Sequence, residues 1–269
     1  MAVPRGDRLP AEKKSGRARA RLDAELAARG LFPSRASAQA AILAGAVRVD
    51  GQVERRAART VAPGADIAVA APPRFVSRGG EKLEGAFAAF AGWRVDGMAC
   101  LDVGSSTGGF TDCMLQHGAR RVMAVDAGTN QLAWKLRSDP RVWVRENFNA
   151  RNMTREDLPE RPERAVTDVS FISLKLILPP IADVLLPGGE IVSLIKPQFE
   201  AGRGNAPGGV VTDPAVRQAA VDGIVQFGTG TLGLELLGVE ESPVRGRDKG
   251  NIEYLAWWRK PPAGEEAAR

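Results

Sequence analysis

Leu101-Asp102-Val103-Gly104-Ser105-Ser106-Thr107-Gly108-Gly109-Phe110-Thr111 decides how this chain folds. Cys100–Val103 reads as a strand, and the residues from Gly109 onward open a helix. A glycine-rich turn between a strand and a helix lies at the carboxyl edge of a parallel sheet, where α/β proteins bind their ligands. Glycine lets the backbone come close to such a ligand. The spacing is Asp-x-Gly-x-x-x-Gly-Gly, with Ser106 at the middle-glycine position of the G-x-G-x-x-G dinucleotide fingerprint. The Gly-Lys-Ser/Thr ending of a phosphate-binding P-loop is missing as well.

Working outward, strand candidates are Cys100–Val103, Arg121–Val125, Val142–Arg145, Ala165–Thr167, Glu190–Ile195, Leu234–Glu240 and Asn251–Trp257. Helical stretches separate most of them, including Ser173–Leu185 and Pro214–Phe227. Such alternation predicts an α/β fold, a largely parallel sheet with helices on both faces. The last two strands have no helix between them, which predicts an antiparallel hairpin at one edge. That layout resembles the Rossmann-like methyltransferases. Asp102, an acid before the first glycine, suits a ligand carrying an ammonium group, such as the methionine end of S-adenosylmethionine (SAM). Asp126, at the end of the next strand, is placed to bind two ribose hydroxyls, and Glu146-Asn147-Phe148-Asn149-Ala150 to bracket the adenine.

Charge is unevenly spread. Residues 1–60 carry 13 Lys/Arg against 6 Asp/Glu, whereas the remainder is nearly neutral with 24 against 26. The basic piece is either a module that meets a polyanion or an arginine-rich solubilising surface. Residues 1–18 read as a disordered basic tail. Leu22 and Leu26 share one helical face, and Gly30 caps that helix. Ser34 caps a second helix over Ala36–Ala44, and Val47–Val53 alternates around an Asp50-Gly51 hairpin turn. Ile67–Val69 supplies a closing strand. Residues 19–70 therefore form a small α+β module, 71–76 a proline-containing linker, 77–259 the α/β domain and 260–269 a frayed tail.

A hydrophobic share of 44% and a charged share of 26% are those of a globular protein. No apolar run approaches the roughly 18 residues of a membrane span, and the basic start lacks the apolar core of a signal peptide. Cys100 and Cys113, with His117 as the one histidine, do not make a disulfide framework or a zinc site, so no metal is expected. A cytoplasmic address and a monomer are expected.

Two strand ends carry the chemistry, Asp168-Val169-Ser170-Phe171 and Ile195-Lys196-Pro197-Gln198-Phe199-Glu200. Enzymes that methylate exocyclic amines carry Asn/Asp-Pro-Pro-aromatic after the fourth strand, where this chain has Val169-Ser170 in place of the prolines. Cytosine carbon-5 enzymes need a nucleophilic cysteine there, and neither Cys100 nor Cys113 is suitably placed. Ribose 2′-hydroxyls are poorly acidic, so a base helps their methylation. A lysine serves when neighbouring cations and burial disfavour its charged form. Lys196 is the candidate base. Lys82 in Ser77–Leu83 adds a second lysine, and Glu253 a carboxylate. Each alone reads as a surface charge; together with Asp168 they fall in register with the strand ends.

The chain resembles the TlyA (haemolysin A) family, 2′-O-methyltransferases of ribosomal RNA with an FtsJ-like catalytic domain. The resemblance rests on RLDAELAARGL, SRGGEKL, LDVGSSTGGFTD, VDAGTNQLAWKLRSDPRV, DVSFISL, LIKPQFEAGR and GNIEY, which span Arg21 to Leu255. It implies an S-four-type RNA-binding domain before a Rossmann-like SAM-dependent methyltransferase domain, and Lys82, Asp168, Lys196 and Glu253 as a catalytic tetrad. Gly104, Ser105, Ser106, Thr107, Gly108, Asp126 and Asn149 match cofactor-binding segments; SAM is the implied cofactor, and ribosomal RNA within ribosomal subunits the implied partner. Some members carry Arg-Ala-Trp-Val between the domains where this chain has Pro73-Arg74-Phe75-Val76, so no linker role in cofactor affinity is carried over. Two alternatives stand beside this reading. A non-catalytic ribosome-assembly factor is disfavoured by the intact tetrad. A membrane-active haemolysin is disfavoured by the lack of a span or a long basic amphipathic helix.

Overall fold

The computed structural model describes residues 19–263 apart from 72, 203, 247 and 248. The expected tails at 1–18 and 264–269 lie outside the described residues. The chain divides between Pro72 and Pro73 into two compact units.

In the first unit β1 (Ala20–Arg21) runs into α1 (Leu22–Ala28), followed by α2 (Arg35–Leu43), β2 (Val47–Val49), β3 (Gln52–Val53), β4 (Thr60–Val61) and β5 (Ile67–Val69). The strands pair as β3-β2-β5 and β1-β4. Ser34 starts α2 with a reciprocal capping box, each of Ser34 and Ser37 accepting the other's backbone N–H at 3.2 Å. Asp50 and Gly51 have φ of 51° and 80°, the two left-handed residues that a type I′ hairpin turn requires. Leu22, Leu26, Ile42, Val47 and Val49 form the core. Asp23 is buried beside them and accepts hydrogen bonds from Arg21 (2.8 Å), Gln39 (2.6 Å) and Arg35 (3.2 Å). These donors, Arg21 foremost, hold its carboxyl far below the usual carboxylate range.

The second unit contains α3 (Gly79–Ala89), β6 (Ala99–Val103), α4 (Gly109–Gln116), β7 (Arg121–Val125), α5 (Trp134–Arg137), β8 (Val142–Arg145), β9 (Arg164–Thr167) and α6 (Leu178–Val184). β10 (Glu190–Ile195), α7 (Pro197–Glu200), α8 (Pro214–Gln226), β11 (Glu235–Glu241) and β12 (Tyr254–Arg259) complete it. The sheet runs β11-β12-β10-β9-β6-β7-β8. β6 to β10 pair in parallel, while β12 is antiparallel to both β10 and β11. Successive strand residues feed opposite faces. Leu101, Ile191 and Ile195 enter one apolar layer; Cys100, Val192 and Leu194 enter the other.

Local chemistry shifts several expected boundaries. The helix expected over 173–185 opens as a 3-10 turn at Leu174–Leu176, and α6 starts only at Leu178. Pro179 and Pro180 lack the N–H that a helix interior needs and fit only its first turn. The last strand begins at Tyr254 rather than Asn251, whose side chain instead accepts Val211 N–H (3.1 Å) and donates to Gly209 carbonyl (2.8 Å). Phe75 and Val76 belong to the second unit rather than to a linker. Phe75 is buried against Gly80, and Val76 N–H donates to Asp112 at 2.8 Å. Lys260 is anchored rather than frayed, its Nζ donating to the Ala182 carbonyl at 2.7 Å.

Candidate active site

Sheet topology brings four chain segments to one edge. β6, β7, β9 and β10 are parallel, so the loops after Val103, Val125, Thr167 and Ile195 emerge together. β12 runs the other way, with Tyr254 opposite Ile195, so the residue before it, Glu253, reaches the same edge from the opposite chain direction. Lys82 arrives on α3, which meets α4 closely: a Cβ on Gly109 would lie 2.7 Å from Gly80 N. Gly104 has φ +83°, and a Cβ there would press on Asp168 carbonyl at 3.2 Å. Glycine is needed at that crossing for conformation and space alike.

The four tetrad candidates converge. Lys82 Nζ donates to Glu253 Oε2 at 2.7 Å and lies 3.5 Å from Asp168 Oδ2. Lys196 Nζ lies 2.6 Å from Asp168 Oδ1 and donates to Ser170 Oγ at 2.8 Å. The result is a continuous chain, Glu253–Lys82–Asp168–Lys196–Ser170, with two positive and two negative groups. Lys82, Lys196 and Glu253 are all buried, and burial of charge is tolerated here because each group has an opposite partner. All four line a cavity of about 770 Å³ together with Ser105, Ser106 and Thr107.

A second hollow of about 940 Å³ adjoins it, sharing Gly104, Ser106, Asp168, Ser170 and Phe171. Asp126 and Asn149 line it beside Val103, Val169 and Ile177. Asp126 accepts Ser106 N–H at 2.8 Å on one oxygen and Gly128 N–H at 2.6 Å on the other. Each oxygen keeps a lone pair, so the carboxylate is held in place and still able to accept a diol. A carboxylate acceptor beside an apolar slot is what a nucleoside requires, and SAM fits it. Asp102 lines neither hollow. It is fully buried, accepts Thr111 Oγ1 at 2.6 Å, and burial pushes its carboxyl up to about 7. Gly108 also sits behind the loop, where a Cβ would strike Leu136 at 2.3 Å. Glu146 turns away from the hollow and accepts the N–H groups of Asn130, Gln131 and Leu132, with Arg137 as its ion pair. The Arg137 guanidinium, with those amides, holds its carboxyl at about 2.

Residues 75–260 match the FtsJ-like methyltransferase family, and residues 20–67 match the S4 domain. The chain is 46% identical over 244 residues to the Mycobacterium tuberculosis 16S/23S rRNA (cytidine-2′-O)-methyltransferase TlyA, covering 90% of each. It belongs to the TlyA family. Hemolysin A of Brachyspira hyodysenteriae is 44% identical over 242 residues, 88% of this chain and 98% of that one. A solved hemolysin structure from Streptococcus thermophilus aligns with a TM-score of 0.70 at 41% identity, covering 90% of this chain and 89% of that one. As a TlyA-family member the chain is a SAM-dependent methyltransferase with an S4 RNA-binding domain. Among the described residues no helix is long and apolar enough to cross a membrane.

Sequence reading missed two features of this TlyA-family site. Ser170, at a position that is proline in exocyclic-amine enzymes, binds Lys196. Phe171 has φ +62°, is 88% exposed, and stands 5.2 Å from the Phe199 ring at the cavity mouth. Its signal was the aromatic residue three places after Asp168. The cysteines stay out of both hollows. Cys100 is buried in the sheet, where desolvation pushes its thiol up to about 12.

Proposed function

We propose that this chain methylates the 2′-hydroxyl of a ribose in ribosomal RNA, with cytidine as the nucleoside by likeness to the mycobacterial relative. The observation that carries the reading is the buried Glu253–Lys82–Asp168–Lys196–Ser170 chain beside the glycine loop. When bound, SAM supplies an electrophilic methyl group on its sulfonium. Asp126 holds the cofactor ribose, and the apolar slot by Val169 and Ile177 takes its base. Lys196 Nζ, acting as the neutral amine after giving its own proton to solvent, accepts the proton that the 2′-oxygen loses as its new bond forms. Asp168 and Ser170 aim that nitrogen into the cavity. Lys82, anchored by Glu253, fixes the second oxygen of Asp168, so the base is held through both carboxylate arms. Phe171 and Phe199 offer ring faces to RNA bases at the mouth, where stacking tolerates any sequence. Exposed arginines of the S4 unit, Arg35 and Arg56 among them, meet phosphates.

Mapping 2′-O-methyl marks on ribosomal RNA with and without this protein tests the reading. A mark is expected that wild-type protein restores and Lys82→Ala does not. Identical marks in both strains would overturn it. Ribosomal subunits bound tightly but left unmethylated by purified protein and SAM would favour an assembly factor.

A further inference from the structure

We infer that Glu84, Cys113 and His117 form a binding site for one thiophilic divalent cation of the zinc class, lying between α3 and α4 and separate from the methyl-transfer cavity. Cys113 on α4 and His117 at that helix's C-cap are four residues apart and lie on one side of it, and Glu84 comes from α3. Glu84 Oε2 lies 2.7 Å from His117 Nε2 and 3.7 Å from Cys113 Sγ, and all three donor atoms fall within 4.8 Å of one another. Zinc bonds sulfur at about 2.3 Å and nitrogen or oxygen at about 2.0–2.2 Å, which puts tetrahedral ligand atoms roughly 3.3–3.6 Å apart. The Glu84–His117 pair must open by about 0.6 Å, and the widest pair must close by at most about 1.2 Å shared between two side chains.

The surroundings suit an ion. One thiolate, one imidazole and one carboxylate are zinc donors, and three protein ligands leave a fourth position for water. Cys113 is buried beneath, while the side chains of His117 and Glu84 are each 28% exposed, which gives an entry path. Phe87 stacks on the His117 ring at 3.7 Å and 5°, fixing its plane. Arg74 holds the other Glu84 oxygen at 2.8 Å, the outer-shell contact that orients a ligating carboxylate. Coordination breaks the Cys113 S–H bond, and its proton leaves to solvent. The bound ion ties the helix that carries Lys82 to the helix that follows the glycine loop. Counting cysteines and histidines along the chain misses the site, because a carboxylate from another helix completes it.

Untagged full-length protein, stripped of metal with a chelator and titrated with cobalt(II), tests this. One equivalent should bind with a thiolate-to-cobalt charge-transfer band in the near ultraviolet, displaced by zinc, and one equivalent of zinc should raise the melting temperature. Cys113→Ser and His117→Ala should lose the band and the zinc-induced shift, while Cys100→Ser and Lys82→Ala keep both. Absence of the band in wild-type protein overturns the site whatever the variants do. So does a band that survives in Cys113→Ser or His117→Ala, with circular dichroism reporting that those variants are folded.

Discussion

Both units pair buried carboxylates with cations, but they point the cations in opposite directions. In the S4 unit Asp23 is inside, while its partners Arg21 and Arg35 stand 47% and 55% exposed. Glu54 repeats the pattern with Arg56 and Arg59, and those arginines, Arg56 foremost, hold its carboxyl at about 2. In the methyltransferase unit the lysine tips are inside, with Lys82 and Lys196 only 10% and 8% exposed. A cation anchored from below and open above can meet a phosphate without rearranging. A lysine nitrogen held by buried partners and facing a cavity can, as the free amine, take a proton from a bound hydroxyl. Location of the partner, more than composition, separates binding charge from chemical charge.

Lys196→Arg should cost the most. It keeps the charge but cannot deprotonate near neutral pH. General-base catalysis is worth about 10²–10⁴ in rate, so turnover should fall by that factor with SAM and RNA affinities held. Near-normal turnover would leave Lys196 as a positioning group. Arg35→Gln, its counterpart in the S4 unit, should instead weaken RNA binding and flatten its salt dependence while leaving SAM affinity unchanged.

Asp126→Ala comes next. Hydrogen bonds to a charged group contribute about 1.5–3 kcal/mol each, so SAM affinity measured by calorimetry should drop at least about ten-fold. An unchanged affinity would remove Asp126 from the cofactor site.

Two buried aspartates give the smaller effects, and of opposite sign. Asp102 has one hydrogen-bond donor and a carboxyl pushed up to about 7 from an ordinary 3.8. A raised acid favours the fold most below pH 3.8, and its contribution declines as pH rises toward 7, by at most about 1.4 kcal/mol per unit. Asp102→Asn should flatten the urea midpoint across that window. Asp23, with three side-chain donors and the Ala24 N–H, is depressed instead, so its contribution is complete above the ordinary carboxylate range and disappears only as strong acid protonates it. Asp23→Asn should lower the melting midpoint by several degrees at neutral pH, and that deficit should narrow in acid. A neutral-pH midpoint equal to wild type would mean that Asp23 does not anchor the S4 unit.

Much of the site was legible because its determinants are local. Asp126, Asp168 and Lys196 each follow a strand whose buried pattern is visible in the chain, and parallel strands place their ends on one edge. Glu146 shows where that logic fails. It too follows a strand, yet three backbone N–H groups claim its carboxylate, and turn geometry alone decides this. Asp102 fails for a related reason: it lies within β6, one residue short of the strand's end, and its side chain goes into the protein.

Strand–helix alternation, the glycine turn, the basic first unit and the identity of the four charged residues are written in the chain, because periodicity and turn chemistry act over a few neighbours. Which of these residues touch one another is set by packing between distant segments. The antiparallel register of β12 delivers Glu253, the glycine contact between α3 and α4 delivers Lys82, and the same contact gathers Glu84 to Cys113 and His117. Such pairings depend on packing between segments as much as 171 residues apart, as for Lys82 and Glu253, and no local pattern records it.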